Sequence, residues 1–128
     1  MKRFSLCILL AACSVITAFA ASPKLACEAL FSDKYKRHKD TEMTINRSAD
    51  NYFRQLRVDG NAQIVAEIER AVNKDSQAAF NSTQRFNNDG ETIILNIQRG
   101  DYLINIGFNK YSDSSAKIFL QSQPEAFQ

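Results

Sequence analysis

Two hydrophobic periods divide this chain. Beyond Gly90, apolar side chains recur at every second position: Ile93, Leu95 and Ile97, then Tyr102, Ile104, Ile106 and Phe108, then Ala116, Ile118 and Leu120. Alternation of this kind marks strands with one buried face. The spacers between the runs are short, so the pattern predicts an antiparallel meander over Glu91–Gln98, Tyr102–Asn109 and the run from Ala116 to Leu120. Asn96, Asn105, Lys117 and Gln121 belong to its other face. Thr41–Arg47 has the same period, with Met43 and Ile45 on one side, and reads as a further half-exposed strand.

Elsewhere the period lengthens. Ile64, Val65, Ile68, Ala71, Val72 and Ala79 form one helical stripe, and Glu67, Glu69, Arg70 and Lys74 lie away from it. Asp75 interrupts the edge of that stripe, either as the last buried turn or as a polar contact. Cys27, Leu30, Phe31 and Tyr35 predict a helix over 23–37, with Ser22 as cap, Pro23 in the first turn and the basic run Lys34–Lys39 at its negative end. Ala49, Tyr52, Phe53 and Leu56 predict a short helix capped by Ser48. Asp59-Gly60-Asn61 and Asn87-Asn88-Asp89-Gly90 are breaks. The expected fold class is α+β: about three helices packed on one face of a mostly antiparallel sheet ending in a three-stranded meander.

The first 21 residues stand apart from this pattern. Lys2 and Arg3 precede an apolar run, and Ala18-Phe19-Ala20 is the small-x-small sequence that a signal peptidase cuts. Residues 1–21 therefore read as a secretory signal, 22–123 as a single α+β domain and 124–128, from Pro124, as a flexible tail. Leu10-Ala11-Ala12-Cys13 also resembles a lipoprotein box, so the expected location is the periplasm or the exterior, with a lipid-anchored outer envelope as alternative. A membrane partner follows only if Cys13 is acylated. Lys2 and Arg3 account for the whole excess of 16 basic over 14 acidic residues, so the domain is formally neutral and carries no nucleic-acid footprint. Only Cys27 remains after cleavage, on an apolar face, where it reads as a small buried hydrophobe without a disulfide partner.

Catalytic chemistry is sparse. His38 is the one histidine and stands in the basic run, without a second ligand at a telling spacing. No G-x-S-x-G, H-E-x-x-H, P-loop or G-x-G-x-x-G occurs, and Glu42, Glu91 and Asp101 read as surface carboxylates. No metal or other cofactor is expected. Asn46-Arg47-Ser48 and Asn81-Ser82-Thr83 match glycosylation sequons at a frequency close to chance. Arg99-Gly100-Asp101, the tripeptide read by adhesion receptors, falls between two predicted strands, where Gly and Asp suit a tight turn. Tyr52-Phe53-Arg54 and Leu56-Arg57-Val58 set aromatic and apolar groups beside two arginines, residue types enriched in protein interfaces. Tyr52, Arg54, Arg57, Arg99 and Asp101 are thus the candidate partner-binding residues.

The order of signal, TEMTI strand, YFRQLRV, the I-x-x-A-V-x-K-D helix (Ile68 to Asp75) and terminal meander resembles short exported proteins of Gram-negative gut bacteria that form a domain of unknown function. The likeness runs from about Leu25 to Gln121 and implies a periplasmic or envelope location without implying an activity. Together these readings predict a non-enzymatic envelope or secreted binding module with an unknown protein partner. The alternatives are a host-cell adhesion ligand acting through Arg99-Gly100-Asp101 and a small periplasmic enzyme.

Overall fold

The computed structural model describes residues 25–124. The signal at 1–21, Cys13, the Ser22-Pro23 helix start and the tail beyond Pro124 lie outside the described residues. A 3-10 turn, Ala26–Leu30, is followed by a single helical turn, α1 (Asp33–Lys36), and by strands β1 (Thr41–Arg47) and β2 (Tyr52–Asp59). The helix α2 (Ala62–Asp75) runs into a 3-10 turn, Ser76–Ala78. Four strands follow: β3 (Asn81–Asn87), β4 (Gly90–Arg99), β5 (Tyr102–Ser112) and β6 (Ser115–Pro124). All six strands form one sheet in the order β1-β2-β6-β5-β4-β3, with every neighbouring pair antiparallel.

The expectation of about three helices on a sheet is therefore wrong. Among the described residues the architecture is a six-stranded antiparallel sheet with one α-helix longer than four residues. The helix predicted over 23–37 is two short turns broken at Phe31–Ser32. Cys27, Leu30 and Tyr35 are buried as a helical spacing requires, but two turns satisfy that spacing as well as one continuous helix. The carboxylate of Asp75 holds the start of the segment by accepting the N–H groups of Ala26 (2.7 Å) and Cys27 (2.8 Å). Those are the orphan donors that any helical start leaves without internal partners.

The short helix predicted from Ser48 is likewise absent. Ser48 to Asn51 is a hairpin loop closed by the Ser48 N–H on the Asn51 carbonyl (2.8 Å), and Tyr52 begins β2. Arg54, Leu56 and Val58 alternate inward and Arg57 and Asp59 outward. A buried cation at position 54 hid the period of two. The strand β3 went unrecognised because all seven of its residues are exposed and it carries no apolar alternation.

Helix α2 is capped by Asn61, whose Oδ1 accepts the Ile64 N–H at 3.0 Å. It packs its stripe on β5 and β6. Ile64, Val65, Ile68 and Val72 join Leu56, Leu95, Ile106, Phe108, Ile118 and Leu120 in one buried cluster. Burial of each such side chain stabilises the fold by about 1.5–3 kcal/mol. The opposite face of the sheet has no helix on it among the described residues and carries Phe53 stacked on Phe119 with centroids 6.0 Å apart. Among the described residues no helix is long and apolar enough to cross a membrane.

Candidate binding cleft

Two hairpin tips meet at one end of the sheet. The first joins β1 to β2 and is closed by the pair Arg47–Tyr52. The second joins β4 to β5 and is closed by Arg99–Tyr102. Gly100, at the first central position of that turn, has φ +61, while among the described residues no non-glycine has positive φ. A glycine placed there is what a type II′ hairpin turn requires. The end of β6 runs between the two tips, pairing Ser122 with Tyr52 and Pro124 with Tyr102. Together they enclose an open cleft of about 660 Å³, whose walls include Arg47, Asn51, Tyr52, Arg99, Asp101 and Tyr102.

The cleft wall rests on a stack of cations and rings. The Arg47 guanidinium lies 4.1 Å from the Tyr52 ring centroid, and that of Arg54 lies 4.3 Å from the same ring. Arg54 is also 5.5 Å from the Phe31 ring, which places it between two aromatic groups. Such contacts favour a guanidinium over an ammonium because the planar group stacks. Arg54 is only 9% exposed, and its Nε has no hydrogen-bond partner. Burial lowers its proton affinity, and Arg99 and Arg47 add to that effect, while Tyr52 and Glu28 oppose it. Arg99 donates through Nη1 to Glu28 Oε1 at 2.6 Å. Burial pushes the Glu28 carboxyl up, but that hydrogen bond and the Leu25 N–H outweigh it and hold the group below the ordinary range.

Among the sequence candidates, Tyr52, Arg99 and Asp101 line the cleft, with Arg54 stacked against Tyr52. Arg57 is not part of it. It is exposed near the far end of β2, beside Asp40, Glu42 and Asp59. In the Arg99-Gly100-Asp101 tip, Arg99 is bonded to Glu28 and Asp101 is exposed. Sequence reasoning missed Arg47, Glu28 and the role of Tyr102. Reading Ser48-Ala49-Asp50-Asn51 as turn composition rather than as a helix cap would have exposed the Arg47–Tyr52 closing pair.

Among the described residues the cleft walls contain no His, Cys, Lys or Glu. Cys27 is buried, and desolvation first, then the Asp75 carboxylate, push its thiol far above the ordinary range, so it is held as the unreactive thiol. No group of three His, Cys, Asp or Glu side chains converges among the described residues. No curated protein matches the sequence, and no solved structure matches it. Residues 13–115 match a family of unknown function, DUF6108, and since that match spans most of the 128 residues, the chain belongs to this family.

Proposed function

We propose that this protein is an exported, non-enzymatic binding module of the bacterial envelope, periplasmic or secreted, that docks a protein partner in the cleft between the two hairpin tips. The Gram-negative gut origin suggested by the sequence resemblance belongs to the same reading. One observation carries it: β6 brings two separate hairpins together, so that Arg47, Tyr52, Arg99 and Tyr102 border a single concavity. Tyr and Arg dominate interface hot spots because each offers a large rigid surface with a polar end. Arg47 is the available cation. It is exposed, steadied by the Tyr52 ring and without an acidic partner among the described residues. A partner side chain bearing a carboxylate fits that fork, since guanidinium and carboxylate match in a two-point geometry.

A photo-crosslinking residue at position 102 tests the reading, with position 117 on the open sheet face as control. The expected result is one discrete adduct from 102 and none from 117. Arg47→Ala should weaken the captured complex by roughly 30-fold, about 2 kcal/mol. Equal crosslinking from both positions, or an adduct that survives Arg47→Ala plus Tyr102→Ala undiminished, refutes it.

A further inference from the structure

We infer that a second copy of this chain pairs with β3, in antiparallel register, to extend the sheet across a two-fold axis. The strand β3 ends the sheet, and among the described residues nothing pairs with its outer side. An unpaired strand edge presents a row of N–H and C=O groups that another strand can complete. Natural edges are blunted by Lys, Pro, bulges or inward charges. The sequence Asn81–Asn87, NSTQRFN, has no Lys or Pro, and its register with β4 is continuous.

The side chains name the occupant. Ser82 pairs with Leu95 and Gln84 with Ile93, so the even-numbered residues of β3 face the helix side. Phe86 shares that face by alternation. Phe80 stands at the bend just before the strand, where its N–H donates to the Asn96 carbonyl at 3.0 Å. Both are large, apolar and exposed, Phe80 at 64% and Phe86 at 73%. In a two-fold pairing centred on Thr83, Thr83 faces Thr83 of the second copy and Ser82 faces Gln84, and Phe86 reaches the end of the other strand, where Phe80 enters it. Two exposed apolar rings, Phe86 of one chain and Phe80 of the other, are thereby gathered at each end of the new ladder, and side chains opposed within it lie about 4.5–5.5 Å apart at Cβ. Arg85, the one charge on the strand, faces Asn81 rather than another cation. A register centred on a residue also sets outward-pointing donors against outward-pointing acceptors. The strand is thus complementary to itself.

The other edge is built differently. Strand β1 carries Glu42 and Arg47, and the Thr41 hydroxyl donates to the carbonyls of Tyr35 and His38, which ties its start to α1. The inference stands independently of the cleft, which lies at the ends of β1, β2, β4, β5 and β6.

Sedimentation of the purified protein across a concentration series, combined with cysteine trapping, tests the inference. Thr83→Cys should form a covalent dimer under mild oxidation, because one residue per chain meets itself at the axis. Ile45→Cys on β1 should not. Cys27 is buried, and the unsubstituted protein run alongside sets the background from Cys7 and Cys13 where these are present. Phe86→Glu, at a position exposed in the single chain, should raise the dimer dissociation constant about tenfold or more while leaving the circular dichroism unchanged. A monomer at every concentration overturns the inference, and so does a dimer indifferent to Phe86→Glu or trapped equally well through Ile45→Cys.

Discussion

Asp75 joins two distant parts of the chain through one side chain. Both carboxylate oxygens accept backbone N–H groups from the N-terminal turn, 48 and 49 residues away, at the point where α2 ends. The break it makes in an apolar stripe was visible in the sequence, but its partner was not, because backbone donors leave no mark in residue type. Asp75→Ala should cost about 2–3 kcal/mol, since it strands buried donors. Asp75→Asn, which keeps one acceptor, should cost less, and urea unfolding midpoints would separate the two. A second residue-scale contact is the Tyr35 hydroxyl, which donates to Glu67 Oε1 at 2.5 Å. Burial first, and then this carboxylate, push the Tyr35 phenol up to about 12. Tyrosinate absorbance should therefore show one of the four tyrosines titrating near 12, and Glu67→Gln should bring it back towards the ordinary value of 10.

At the scale of elements, period predicted what it could see. Where inward positions are all apolar, as in β4, β5 and β6, the alternation marks the strands; where a stripe recurs at helical spacing, as along α2, it marks the helix. It failed in β2, where Arg54 occupies an inward position, and in β3, where no position is buried. Here the inward guanidinium is set against two rings, and Tyr52 and Phe31 come from separate segments of the chain. Packing on the open sheet face is equally hidden. A Cβ on Gly107 would stand 2.0 Å from the Phe119 ring, which in turn stacks on Phe53. Gly107→Ala should destabilise by about 1–3 kcal/mol through overpacking. Phe119→Ala should relieve most of that cost, and a double-mutant cycle on chemical denaturation would show the coupling. Gly90→Ala has no such rescue. There the clash is with the Lys110 backbone carbonyl at 2.0 Å, and φ is +125.

For the whole molecule, the decisive contact is that β6 lies between β2 and β5. The last strand joins the early hairpin to the late meander, so the sheet cannot be completed until the C-terminal part of the chain is in place. A chain ending at Ser114 should accordingly lose the cooperative unfolding transition rather than only a fraction of its stability, as followed by circular dichroism on heating. The acid limb of stability follows from two carboxylates. The Tyr35 hydroxyl and then Lys34 hold Glu67 below its ordinary value of 4.5, and Arg99 does the same for Glu28 against the opposing effect of burial. A carboxylate with a lowered folded pKa contributes stability that is full above its unfolded value and is lost as pH falls through its folded value. Stability should thus be level down to about pH 5 and decline below it, with Glu67→Gln flattening the decline. The sequence by itself determined the strands of the meander and the stripe of α2, because those depend on residue types at short spacings. Only the tertiary structure decided the number of helices, the inward placement of Arg54 and the cleft. Each of these depends on which distant segments become neighbours, and a one-dimensional pattern does not carry that.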